Sequence, residues 1–453
     1  MGATDKQRPE GLGGKARPSI LLLYHFFHPD DVVSAIHFTQ FAAGMERRGW
    51  EVTVLTSNRS CRRPGQAFIR EELWNGIRIV RTYRPDWDQS KPIRRLMNSA
   101  YLIVRWAYES LRMGRFDAIV VGSDPSFLPL ICPVFRWLRR GRILAHWCFD
   151  LFPEAITAEG VSRVPRFILG LARRMNGAAY RSLDLLVDLG PCMRDRLLSY
   201  RTRALRETLI PWALKEPSEI PRAEHAVRER MFGGARLGLL YSGNMGRAHR
   251  YELFLQLARE CRKRGMNVSF CFACRGFRAD DLLRQVSSED TNIRMVDFAS
   301  EDELERHLAA ADMHLISLRD EWTGVVVPSK FFGSLAVGRP VIYDGPKDSS
   351  VAQWIQEFSV GAVLDVHDIE SAIQYLSRLL EADGSIQELQ ARAYRAYVEN
   401  FSRGKILDAW DKILRKQIGE VRALPDWKAG RHPAGPQTDW GQARQGVSPK
   451  ILP

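Results

Sequence analysis

Continuous apolar runs alternate with segments of helical periodicity along most of this chain. Ser19–Phe26 (SILLLYHF) is apolar almost throughout, as expected of a strand buried on both faces. HFTQFAAGMERRGW then has helical spacing and stops near Gly49, and EVTVLTS reads as a second strand. Strand, helix and strand in that order make a βαβ unit with parallel strands. The pattern recurs through IRIVRTY, a helix over 97–113, FDAIVVGS, RILAHW and LDLLVDLG, so 18–212 reads as one doubly wound α/β domain.

Proline and charge then break the pattern in PWALKEPSEIPRAEH, and 213–235 is expected to be a linker. A second series follows: LGLLYSG, NVSFCFAC, IRMVDF, MHLISL, RPVIYDG and GAVLDV, with helical segments between, predicting a second doubly wound domain over 236–395. A helical segment over 396–418 comes next, with an amphipathic helix over Ile406–Ile418. The polar, glycine-rich ends, 1–17 and 419–453, have the composition of disordered chain. The N-terminus has no apolar core of a signal peptide, and no run reaches the roughly 18 apolar residues of a membrane span, so a cytoplasmic protein is expected.

Open parallel sheets bind ligands at the carboxyl ends of their strands, so the loops there are where chemistry is sought. LLYSGNMGRAHRYELFL offers Gly243 and Gly246, whose backbone N–H groups can approach a ligand, with Asn244 between them. Arg247, His249 and Arg250 add cationic donors ahead of a helix. In VVVPSKFFGSLAVGRPVIYDGP, Val325–Val327 read as a strand end, and Ser329 and Lys330 open an apolar helix. A cation at that helix mouth is unfavourable unless an anion sits there. Two such cradles in one domain point to a diphosphate ligand, against the plainer reading of a solvated basic turn and a snorkelling lysine.

Charge supports a polyanionic partner without naming it: the 453 residues carry a net charge of +13, with 45% hydrophobic and 26% charged content. Basic stretches mixed with aromatics, over 91–115, 135–142 and 164–176, suit the headgroup region of an anionic membrane, though cationic solvent faces explain most of them equally well. Seven cysteines scattered through the chain do not form a disulfide framework, and Cys271 and Cys274 lie in an apolar run that reads as a buried strand.

YSGNMGRAH, NIRMVDFASEDELERHLAAADMHLISL and VPSKFFGSLAVGRPVI, in that order, resemble the donor-binding domain of the GT-B glycosyltransferases, family 4. ILLLYHFFHPD, FAAGMERRGWEVTVLTS, HWCFDLFPEA and LIPWAL resemble segments of that family's first domain, and PSK before LAVGRPV suits its bacterial exopolysaccharide and O-antigen branch. The resemblance implies two Rossmann-like domains facing across a cleft. It also implies metal-independent, retaining transfer of a sugar from a nucleoside diphosphate donor, a UDP-sugar among the candidates, to a glycan or polyprenyl-phosphate-linked acceptor. No cofactor beyond the donor, no resident metal and no nucleic-acid partner are implied. A peripheral position at the inner face of the cell membrane would suit a lipid-linked acceptor.

Carried over position by position, the resemblance makes Lys330, Arg250 and Asp150 the catalytic candidates, with Asp150 orienting the acceptor. Gly243, Asn244, Gly246, Arg247, Arg275, Val296, Phe298, Ser329 and Gly333 are the donor-binding candidates. Two departures stand out. The family's pair of glutamates falls on Val325 and Gly333, Glu321 being the nearest upstream acid, and Asn244 stands where an arginine is usual. Asp150 also reads as a helix N-cap, and His146 as a satisfied core histidine. His25, His28, Asp30 and Asp31 line the first loop as an acceptor-facing group or a paired-histidine metal site lacking a third ligand. The alternatives left open are a nucleotide-sugar epimerase of the same fold, a noncatalytic partner subunit and a basic nucleic-acid-binding protein.

Overall fold

The computed structural model describes residues 17–63, 65–87, 91–160, 164–382 and 384–423. Two sheets organise them. The first has eight strands: β1 Ser19–Leu23, β2 Glu51–Ser57, β3 Glu71–Trp74, β4 Ile77–Thr82, β5 Phe116–Val121, β6 Gly141–Trp147, β7 Leu185–Asp188 and β8 Leu205–Thr208. Their order is β3-β4-β2-β1-β5-β6-β7-β8, parallel except for β3. The edge strand β3 escapes the hydropathy reading because EELW is only half-buried; Asn75 and Gly76, both at positive φ, turn it onto β4.

The second sheet has six parallel strands: β9 Leu237–Asn244, β10 Val268–Arg275, β11 Ile293–Met295, β12 Met313–Ser317, β13 Val341–Asp344 and β14 Gly361–Val363. Their order is β11-β10-β9-β12-β13-β14. In each sheet the chain builds outward on one side and then returns to the other. This places a topological switch point between β1 and β5 in the first domain and between β9 and β12 in the second. The apolar runs of Leu21–Leu23, Val120–Val121 and Leu239–Tyr241 are fully buried, as parallel strands with helices on both faces require.

Four local expectations change. Val325–Val327 is a loop, not a strand end; Val325 is apolar because it packs between the domains, where its carbonyl accepts the Leu151 N–H at 3.1 Å. Within 213–235, His225–Phe232 is a helix whose Val227, Met231 and Phe232 pack against Leu240 and Cys271 of the second sheet. Residues 419–423 continue the last helix, Arg403–Ala423, whereas the rest of the tail and residues 1–16 lie outside the described residues. Arg17 is ordered by contacts to Glu46 and Trp50. Cys271 and Cys274, three apart on β10, lie on opposite faces of the strand and so cannot share an ion.

After the second domain the chain crosses back. Ser385–Asn400 belongs to the second domain through Ala393, Ala396 and Tyr397, but Ile406, Leu407, Trp410 and Leu414 join the core of the first. Trp410 is fully buried, edge-on to Phe41 at 5.2 Å and to Trp147 at 5.3 Å. Trp410→Ala leaves a cavity under β6 and is expected to cost about 3–5 kcal/mol; a fall in the urea midpoint with an unchanged slope measures it.

Candidate functional site

The switch point of the second sheet opens toward a cleft of about 390 Å³ between the domains, lined on the first-domain side by Val33, His37, Arg62 and Trp212. On its second-domain side Gly243 is the penultimate residue of β9, with φ at 121°. A Cβ on Gly243 would lie 2.8 Å from Lys330 Cε, so the lysine stem occupies the space that any side chain would need. Glycine is required there for a contact with Lys330.

Lys330 lies over the Tyr241 ring at 5.3 Å, and its Nζ donates to the Asn244 carbonyl at 2.8 Å. Its second neighbour is His249 Nε2, at 3.3 Å. His249 Nδ1 sits 2.7 Å from the Ser317 carbonyl and so carries the ring proton, leaving the Nε2 lone pair to accept from the ammonium. Burial, reinforced by Lys330, lowers the His249 pKa to about 3, so this residue is a neutral acceptor and not the cationic donor its sequence position suggests. Burial also lowers Lys330 to about 8, and no carboxylate pairs with it among the described residues. An ammonium has three N–H groups; two are engaged, and one is left for a ligand. The helix Lys330–Ala336 is under two turns long, so the ammonium rather than the helix dipole supplies the charge.

Gly243, Asn244, Arg275, Phe298, Ser329, Lys330 and Gly333 all line the cleft. Arg275, at the end of β10, stacks over Phe298 at 4.0 Å and has no carboxylate partner among the described residues. Leu304 and Leu308 form an apolar wall beside it. At Gly333 a Cβ would meet nothing within 4 Å, so the position of the family's second glutamate opens on free space. Glu321 does not replace that glutamate; it lines a different hollow, beside Arg319.

Other candidates lie elsewhere. Arg250 donates through Nε to the buried Asp344 at 2.7 Å and through Nη1 to Asp320 at 3.2 Å, lining that different hollow, so a structural ion pair holds it away from the cleft. Arg247 is exposed and stacks on Phe277 at 4.5 Å, outside the cleft lining, as is Gly246 on the same turn. Val296 extends the sheet by donating its N–H to the Phe272 carbonyl. The helix expected to follow the glycines directly begins only at Glu252, with an acid in its first turn.

In the first domain, outside the lining of this cleft as Asp150 also is, His25 and Asp124 follow β1 and β5 at the switch point. His25 Nδ1 lies 3.2 Å from Asp124 Oδ1, and its Nε2 3.2 Å from Arg84 Nη1. Asp150 follows β6, its N–H donating to Ser123 Oγ at 3.2 Å. It caps no helix, since the next begins at Glu154 with Pro153 as its cap. Burial first, then the Asp124 charge, raises the Asp150 pKa to about 6. The Leu151–Val325 backbone bond joins this carboxylate's segment to the loop that leads into Ser329 and Lys330. The sequence alone does not single out Asp124 or Arg84; the one signal it offers is the position of GSDPSF just after a strand.

The remaining first-loop residues have local partners. His28 stacks on Trp74 at 4.3 Å, Asp30 accepts the Cys61 N–H at 2.7 Å, and Asp31 pairs with Arg62, a cleft-lining residue, at 3.1 Å. Among the described residues, no group of three His, Cys, Asp or Glu side chains could hold a metal ion, so His25 and His28 acquire no third ligand. His146 is buried, with Nδ1 2.9 Å from the Val121 carbonyl, and burial lowers it to about 4: a core histidine.

Residues 34–213 match the family model described as the glycosyl transferase 4-like domain. The chain is also 26% identical over 323 residues to the probable glycosyltransferase WbjE of Pseudomonas aeruginosa, covering 69% of this chain and 77% of the relative. The chain is a glycosyltransferase of GT-B fold whose first domain is glycosyl transferase 4-like. Its two-domain fold is similar to sucrose-phosphate synthase from Thermosynechococcus elongatus, at a TM-score of 0.68 and 12% identity, covering 89% of this chain and 100% of that one. Anabaena HepE in complex with UDP is similar at a TM-score of 0.60 and 10% identity, covering 88% and 100%.

In this glycosyltransferase the raised pKa of Asp150 has a thermodynamic consequence. Its ionised form is disfavoured by folding, so the penalty is absent below the unfolded pKa, grows as pH rises toward 6, and is complete above it. Asp150→Asn is therefore expected to stabilise the protein by about 1–2 kcal/mol at pH 7.5, with the gain vanishing near pH 4. Urea unfolding at the two pH values tests the sign.

Proposed function

We propose that this glycosyltransferase binds the diphosphate of a nucleoside diphosphate sugar between the Gly243 turn and Lys330, and transfers the sugar to a glycan or lipid-linked glycan acceptor presented by the first domain. The observation that carries this reading is the Lys330 ammonium: half-buried, without a counter-ion among the described residues, with one N–H uncommitted. Arg275 adds a second cation on the same wall, and Phe298 with Leu304 and Leu308 offers an apolar surface for a base. A uridine donor is the first choice, since the structurally similar HepE is described as a UDP complex.

In the reaction the bond between the sugar's anomeric carbon and the β-phosphate oxygen breaks, and its electron pair leaves with the diphosphate. Lys330 and Arg275 meet the charge that develops there, and such electrostatic stabilisation lowers the barrier more than any other single effect in catalysis of this kind. The acceptor hydroxyl bonds to the anomeric carbon, and its proton passes to the Asp150 carboxylate, ionised above about pH 6. Retention of configuration follows from the family resemblance, as does a role in cell-surface polysaccharide synthesis. Closure of the domains across the cleft would exclude water from the donor.

Lys330→Ala is expected to lower turnover by ~10²–10³ and to abolish the thermal shift given by UDP, with the unliganded protein folded and no less stable, since a costly buried charge is removed. UDP affinity in the unsubstituted protein should hold steady up to about pH 8, where Lys330 is protonated, and decline above it. Lys330→Met should remove that decline. Calorimetric titration across the range decides it, and an unaltered UDP affinity in Lys330→Ala would remove the role assigned to the lysine.

A further inference from the structure

The helix Pro92–Arg112 is amphipathic in the reverse sense. Ile93, Met97, Val104, Tyr108 and Leu111 recur at intervals of three, four and seven, on one stripe, and that stripe faces outward: Ile93 is 76% and Val104 70% exposed. The inward side holds Leu102 and Trp106, but also the buried polar residues Asn98, Ser99, Glu109 and Ser110. A helix packed only for its own domain would place these groups the other way round.

A second helix repeats the pattern. On Arg166–Tyr180, Phe167, Leu171 and Met175 are spaced by four and exposed, Phe167 at 75%. The turn Leu128–Ile131 packs against both helices, and Cys132–Trp137, which continues it, ends in Trp137 at 81% exposure. The three helices therefore present one connected apolar face. The helices that form it are strongly cationic: four arginines on the first helix, one on the second in chain order and three on the third, against a single glutamate on the same helices. That glutamate, Glu109, is buried and paired with Arg105, while Arg136 and Arg173 pair with Asp184 and Glu154 from outside these helices. Arg94, Arg95, Arg112, Arg166 and Arg174 are exposed, with no carboxylate partner among the described residues.

We infer that this face docks the first domain onto an anionic lipid bilayer, with the two helices lying in the headgroup region. Apolar stripes flanked by arginine, with an exposed tryptophan, match the amphipathic character of that region. A second copy of the chain fits poorly, because pairing two such faces would bring their arginines together without counter-charge. The face also adjoins the segments that carry Asp124 and Asp150. Leu128 follows the Asp124 loop directly, and Phe127 packs on Phe152, two residues after Asp150, at 5.8 Å. Docking in this orientation places the acceptor-side carboxylates beside the membrane plane. The inference does not depend on which donor binds.

The test is flotation of the full chain with vesicles of phosphatidylglycerol and phosphatidylcholine in equal parts, and with phosphatidylcholine alone. Binding is expected to the first only, and to weaken with salt. Arg94→Glu with Arg112→Glu should lower vesicle affinity by at least ~20-fold. Val104→Glu with Leu171→Glu should abolish binding without changing the melting temperature or the UDP response, since both side chains point outward. Equal binding to neutral vesicles, no binding to either, or indifference to the glutamate substitutions would overturn the inference. A wild-type dimer dissociated by Val104→Glu would overturn it too, and assign the face to a second copy.

Discussion

A cation held half-buried without a counter-ion is costly, and the donor side of this molecule is arranged around tolerating one. Lys330 keeps its charge near neutrality because the Asn244 carbonyl and the His249 lone pair replace part of its lost hydration. Both partners are neutral, so neither cancels the charge. His249 can serve only because burial keeps it unprotonated and the Ser317 carbonyl takes its one proton. Gly243 completes the arrangement by having no side chain where the lysine stem must pass. An anion entering this setting gains most when its charge is greatest, which is the condition for favouring a departing diphosphate over a bound donor.

The two domains divide the charge between them. Uncommitted cations, Lys330 and Arg275, line the cleft at the switch point of the second sheet. Carboxylates, Asp124 and Asp150, gather near that of the first. Group transfer needs this polarity, because negative charge departs with one substrate while a proton is lost from the other. The segments are also mechanically close: the Leu151–Val325 bond links the Asp150 loop to the one that carries Lys330. Contacts of Cys192 with Ser350, and of Arg196 with Thr323, add further polar links between the domains.

Two amphipathic helices of the first domain illustrate how the same periodicity can have opposite outcomes. Arg403–Ala423 turns Ile406, Trp410 and Leu414 inward and covers the first sheet, although it follows the second domain in the chain. Pro92–Arg112 turns its own apolar stripe outward, beside exposed arginines. Hydropathy at helical spacing identifies both helices. It does not say which side faces the core, because that depends on what other elements bring to the contact.

By itself the sequence determined the alternation of buried strands and helices, and therefore two parallel sheets with loops at their carboxyl ends. It also marked Gly243 and Lys330 as unusual, because a glycine at a strand end and a cation at a helix mouth are local features. Tertiary structure decided the rest. Arg250 and Arg247 sit on the same turn as the glycines, yet one is drawn into an ion pair with Asp344 and the other stacks on Phe277. Val325–Val327 has the composition of a strand but is apolar for the sake of an interdomain contact. Asp124 and Arg84 reach His25 from different strands of the first sheet, and His249 owes its neutrality to burial and to Lys330. The physical reason is common to all of these. Backbone preference and hydropathy act between near neighbours in the chain, whereas charge pairing, desolvation and the outward or inward face of a helix depend on residues brought together from far apart.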